Sequence, residues 1–126
     1  MKIFDLRLIF AALLFVFVFI SGIWLSKYGR PLNVVIFTIH KLISILTLIL
    51  TVIVIYTLQR GVDLKTFDYY LLIITSVFFI SAIITGGFLS IEKLTNNAML
   101  ISHKILSLLT VISVAFTIYS FVNRRV

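Results

Sequence analysis

The chain has 126 residues, of which 62% are hydrophobic, 14% aromatic and only 12% charged. Soluble domains are about 45–50% apolar and about 25% charged, so this composition excludes a water-soluble fold, and it excludes intrinsic disorder, which needs low hydrophobicity. The 11 Lys and Arg against 4 Asp and Glu give a net charge of +7, and no cysteine is present, which excludes disulfides, thiolate zinc sites, iron–sulfur clusters and covalently attached c-type haem.

Four apolar segments are expected as helices over about 4–25, 32–58, 67–91 and 96–122. Each has the ~20 residues needed to cross a hydrocarbon core ~30 Å thick. Inside lipid the backbone must satisfy its own hydrogen bonds, which selects helix over isolated strand. The connections are short, so neighbouring helices are antiparallel. The expected fold class is all-α: one integral membrane four-helix up-and-down bundle spanning 1–126, with the lipid bilayer as its solvent. Pro31 is expected as an early residue of the second helix, where its missing N–H costs nothing. Thr95, Asn96 and Asn97 offer caps for the fourth. The first segment reads as a retained helix and not a cleaved signal peptide, because it continues through Phe17, Phe19 and Trp24 without a small-x-small cleavage site.

The basic residues sit singly at the ends of the apolar runs. This fits topology determinants beside anionic headgroups and not a nucleic-acid surface. The N-terminus, second loop and C-terminus carry Lys2, Arg7, Arg60, Lys65, Arg124 and Arg125, which read as headgroup charges. The opposite side carries Lys27, Arg30 and Lys93, joined by Lys41 and Lys104 if those snorkel there. The positive-inside rule then puts both termini in the cytoplasm, with a bacterial or archaeal cytoplasmic membrane as the expected location. The acids Asp5, Asp63, Asp68 and Glu92 are expected near water. Trp24, Tyr28, Tyr56 and Tyr119 read as interfacial anchors.

The chain repeats itself as a helical hairpin used twice, in units 1–63 and 64–126. Residues 37–58 align with 100–121 at an offset of 63, with identities at His40/His103, Lys41/Lys104, Ser44/Ser107 and Thr47/Thr110 among others. At an offset of 64, Ser21-Gly22 lies over Thr85-Gly86, with Gly87 beside it. Two copies running the same way imply a pseudo-two-fold axis along the membrane normal.

His40 and His103 are the only histidines. They fall roughly 13 Å beyond Pro31 and roughly 10 Å beyond Asn96 along their helices. An ionisable side chain at that depth is costly and normally faces the protein interior. Ser44 and Thr47 follow His40, and Ser107 and Thr110 follow His103, at i+4 and i+7, so small polar residues share the histidine face. Gly22 and Gly86 lie at about the same level and admit a close neighbour, either a helix or a flat cofactor. Two neutral imidazoles are suited to the axial positions of a six-coordinate haem iron. They are too few for zinc, which takes four ligands. Lys41 and Lys104 lean toward the outer interface, where they would neutralise haem propionates; Arg30 and Lys27 are alternatives.

With His-Lys at the start of two parallel helices and glycines on the others, the chain resembles the small membrane-embedded b-type cytochromes, including respiratory cytochrome b anchors. The resemblance implies haem b held by His40 and His103, with electrons passing between quinol or a redox partner protein and an acceptor outside. Two-haem members need four histidines, so this chain holds at most one bis-histidine haem.

The competing expectation is a non-catalytic membrane subunit or carrier. In it His40 and His103 bond to Ser or Thr on a neighbouring helix or relay protons, and Ser44 and Thr47 bond back to their own helix. A homo-oligomer is compatible with either. No catalytic constellation is present, so enzymatic action is confined to a possible electron-transfer role.

Overall fold

The computed structural model describes residues 3–91 and 96–125, with the side chains of 3–5 and 125 outside the description. Lys2, Glu92, Lys93 and Thr95 therefore lie outside the described residues, as do the side chains of Asp5 and Arg125. The fold is all-α: α1 (Ile3–Tyr28), α2 (Val34–Gln59), α3 (Thr66–Phe88) and α4 (Asn97–Arg125), with no strand among the described residues. All four are long and apolar enough to cross a membrane. At 23 to 29 residues they measure about 35–44 Å, more than the ~30 Å of hydrocarbon they must span.

The helix ends follow from local chemistry. Gly29 closes α1 at φ 66°, a left-handed conformation that costs a glycine nothing. Pro31 is not an early helical residue: it lies in the turn, and α2 starts three residues later. Asn33 takes the N-cap instead, its Oδ1 accepting from the backbone N–H of Val35 at 3.0 Å and of Ile36 at 3.1 Å. At α3 the Asp68 carboxylate reaches back to the Lys65 N–H at 2.7 Å. Of the three candidate caps for α4, Asn96 does the work, accepting from the Met99 N–H at 2.8 Å. α3 ends at Phe88, short of the expected 91, and residues 89–91 continue as turns closed onto Thr85, Gly87 and Phe88.

The chain divides into two compact units, Met1–Thr57 and Leu58–Val126. The first is essentially the α1–α2 hairpin and the second the α3–α4 hairpin. In the first, Ser21 near the end of α1 meets His40 near the start of α2, which makes the pair antiparallel. Along α2 the more buried side chains fall at His40, Ser44, Thr47, Thr51, Val54 and Leu58, in alternating steps of four and three. The α4 stripe is its counterpart: His103, Ser107, Thr110, Val114, Thr117 and Phe121. This is heptad spacing, which keeps one seam turned to a partner helix. The remaining faces expose Leu, Ile, Val and Phe throughout, as a surface wetted by lipid should.

The second hairpin is pinned at three levels. Thr85 meets His103 at one end; in the middle the Thr75 hydroxyl bonds those of Ser113 and, at 3.0 Å, Thr117. At the other end Arg124 grips Asp68 with both terminal nitrogens, one at 2.7 Å from Oδ2, while a 3.1 Å bond to Ser120 Oγ steadies the guanidinium. Asp68 is fully buried, so neither it nor Arg124 is the simple interfacial charge expected from the sequence. The equivalents of Thr75, Ser113 and Thr117 in the first hairpin are Ala11, Leu50 and Val54, so the first hairpin lacks this hydroxyl cluster.

Removing one partner of a buried ion pair strands the other. Asp68→Asn is expected to destabilise the second hairpin by about 2 kcal/mol, below the usual range for buried pairs because the Arg124 side chain keeps 27% exposure. Adding Arg124→Gln to that variant restores part of the loss. Denaturant titration followed by circular dichroism in micelles measures both.

Candidate functional site: two histidine cradles

Each hairpin holds its histidine in the same way. In the first, the His40 ring lies against α1 at Ser21 and Gly22. Nδ1 is 2.8 Å from Ser21 Oγ, and Cε1 is the atom that a Cβ on Gly22 would meet at 3.2 Å. In the second, His103 Nδ1 is 3.1 Å from Thr85 Oγ1, and a Cβ on Gly86 would come within 3.0 Å of Cε1. A hydroxyl residue followed by glycine therefore forms a seat for one edge of the imidazole, and both rings are half-buried.

Each seat hydroxyl also lies within bonding distance of its own helix: Ser21 Oγ is 3.0 Å from the Val18 carbonyl, and Thr85 Oγ1 is 2.8 Å from that of Ser81 and 3.1 Å from that of Ala82. A hydroxyl has one proton to give. Where it goes to the helix carbonyl, the imidazole supplies the N–H from Nδ1 and the basic lone pair sits on Nε2, in both hairpins alike.

The glycines are explained by this contact. At the sequence level Gly22 and Gly86 admit either a helix or a flat cofactor; in the structure the close neighbour is the imidazole of the same hairpin. Gly87 has nothing within 4 Å of its would-be Cβ and plays no part in the seat.

Ser44 and Ser107 share the histidine faces as expected, yet their protons go to their own helices, to the carbonyls of His40 and His103 at 2.7 Å each. Thr47 and Thr110 do the same toward Ile43 and Leu106, also at 2.7 Å. One step further along α2, Thr51 is buried with its hydroxyl unpartnered among the described residues.

Lys41, Lys104 and Arg30 are exposed. Lys41 leans back toward the start of α2, its Nζ 4.4 Å over the Phe37 ring, the direction expected of a lysine reaching from a helix toward an interface. Lys104 occupies the equivalent place on α4, and Arg30 lies in the turn before α2.

Ser21 and Thr85 hold the histidine rings, and sequence reasoning did not single them out as partners of the histidines. The available signal was their alignment as a hydroxyl–glycine pair in the two copies, at nearly the same offset as the histidines. The pairing of Asp68 with Arg124 had no comparable signal, because the first copy has no described counterpart.

No family model, no curated protein and no solved structure matches this chain. Its class rests on the fold alone: an all-α chain of two helical hairpins, with four helices of membrane-spanning length and composition.

The two neighbouring glycines of α3 give a controlled comparison. Gly86→Ala presses a methyl group onto the imidazole and is expected to cost about 1–3 kcal/mol. Gly87→Ala meets open space and is expected to be neutral or to gain up to about 1 kcal/mol from helix propensity. Thermal unfolding of the two variants in micelles measures the difference.

Proposed function

We propose that the chain is a membrane haem protein of b type, with His40 and His103 as the axial ligands of one haem. The observation that carries this reading is the repeated cradle. Both histidines hold Nδ1 against a hydroxyl oxygen; with the proton on Nδ1, this is the outer-shell bond that orients an imidazole for ligation through Nε2. Two imidazole nitrogens of one kind would suit a haem iron as its protein ligands. Among the described residues no group of three or more His, Cys, Asp or Glu gathers as a resident zinc ion would need.

In this reading each residue has one task. Ser21 and Thr85 fix the tautomer, and Gly22 and Gly86 set the plane of each ring. Lys41 and Lys104, with Arg30 as the alternative, neutralise the propionates at the water boundary. Ser44 and Ser107 complete the histidine faces. The haem, when bound, supplies one-electron transfer. The chain passes electrons between quinol or a partner protein and an acceptor outside, in a bacterial or archaeal cytoplasmic membrane with both termini inside.

A second reading has its own support. The same Nδ1–hydroxyl bonds join neighbouring helices, so the histidines also serve as structural pins of a non-catalytic membrane subunit. Colour separates the two. Protein purified from cells supplied with haem is expected to show a Soret band, and a split visible spectrum on dithionite reduction. Both features should vanish in His40→Ala and in His103→Ala. A colourless preparation that does not respond to added haemin would overturn the haem reading and leave the pins.

A further inference from the structure

The first hairpin carries an apolar groove of about 460 Å³ on its flank, between Phe10 and Leu14 of α1 and Leu46, Leu50 and Ile53 of α2. Arg7 lies at its end nearest the N-terminus. The groove is separate from the histidine cradle. It uses other positions of α2 and lies toward the opposite end of α1 from Gly22.

Two features make it more than a crease between helices. The first is the charge. Arg7 sits one turn inside α1, roughly 6 Å along the helix from its start, and because the helix is longer than the hydrocarbon is thick this puts its guanidinium within reach of the headgroup phosphates. Arg124, near the other end of the chain's last helix, has an anion in Asp68. Arg7 makes no ion pair among the described residues. The second is the internal copy. At the repeat offsets the second hairpin has Leu71 in place of Arg7, and Phe78 and Phe116 in place of Leu14 and Ile53. The copy thus lacks the cation and reshapes the walls: those two positions are bulkier, and two others are smaller, with Ile74 for Phe10 and Ser113 for Leu50. The cation beside these walls belongs to the first hairpin.

We infer that this groove is a binding site for one anionic phospholipid, with a phosphate oxygen pair on the Arg7 guanidinium and one acyl chain lying between Phe10, Leu14, Leu50 and Ile53. Arginine suits the role because its planar fork bonds two phosphate oxygens at once, and the surrounding low-dielectric environment strengthens that bond. The apolar walls exclude water from the chain and contribute by burial of its methylenes. Basic sites between membrane helices that face headgroups recognise anionic lipids by this division of labour.

Native mass spectrometry of the full chain, released from micelles doped with equal phosphatidylglycerol and phosphatidylcholine, tests the site. The wild type is expected to retain one phosphatidylglycerol in preference to phosphatidylcholine. Arg7→Gln should lower that preference about tenfold, and Arg7→Lys should restore part of it. Leu14→Phe with Ile53→Phe, which narrows the groove, should lower retention of both lipids. Each variant is checked for wild-type helicity, and Arg7→Met stands in as the charge test if Arg7→Gln fails to fold. Equal retention of the two lipids by the wild type overturns the inference, as does unchanged preference in Arg7→Gln or unchanged retention in the double phenylalanine variant.

Discussion

The edge of an imidazole resting on a glycine, with its Nδ1 tied to the hydroxyl of the residue before that glycine, organises each half of this protein. In lipid the association of helices gains little from hydrophobicity, because acyl chains are as apolar as leucine. Close packing and a few polar bonds must supply the specificity. The cradle supplies both at one point. It brings two backbones near enough for a ring to fit between them, and it satisfies a polar group that would otherwise be stranded in hydrocarbon.

From that point the two hairpins diverge. The second adds a hydroxyl cluster at Thr75 and a buried ion pair at Asp68 and Arg124, so polar bonds hold it from end to end. The first replaces the hydroxyl cluster with Ala11, Leu50 and Val54. It relies on small and aliphatic packing there, and its flank opens into a groove instead. The second hairpin has polar bonds at levels where the first does not, while both keep the same histidine seat.

The hydroxyl groups show how a shared face divides between roles. Ser44, Ser107, Thr47 and Thr110 lie on the histidine stripes, yet each spends its proton one turn back on its own helix. Such bonds neutralise a hydroxyl inside lipid without committing it to a neighbour. Ser21 and Thr85 also lie against carbonyls of their own helices, but their oxygens bond the ring as well, and that second bond turns a tolerated polar residue into a positioning one.

The sequence by itself determined the number of spans, the two-fold repetition, and the placing of both histidines with a glycine at nearly matching register. These follow from composition and from spacing along the chain, which hydrocarbon thickness and the helical rise convert directly into depth. Only the tertiary structure decided that the glycines hold imidazoles, that Ser21 and Thr85 meet the ring nitrogens, that Asn33 and not Pro31 starts α2, and that Asp68 is buried on Arg124. The reason is rotational. Each residue turns the helix by about 100°, and in a membrane the packed and lipid-facing sides have nearly the same hydropathy. Sequence pattern therefore fixes how deep a side chain lies far better than it fixes what that side chain touches.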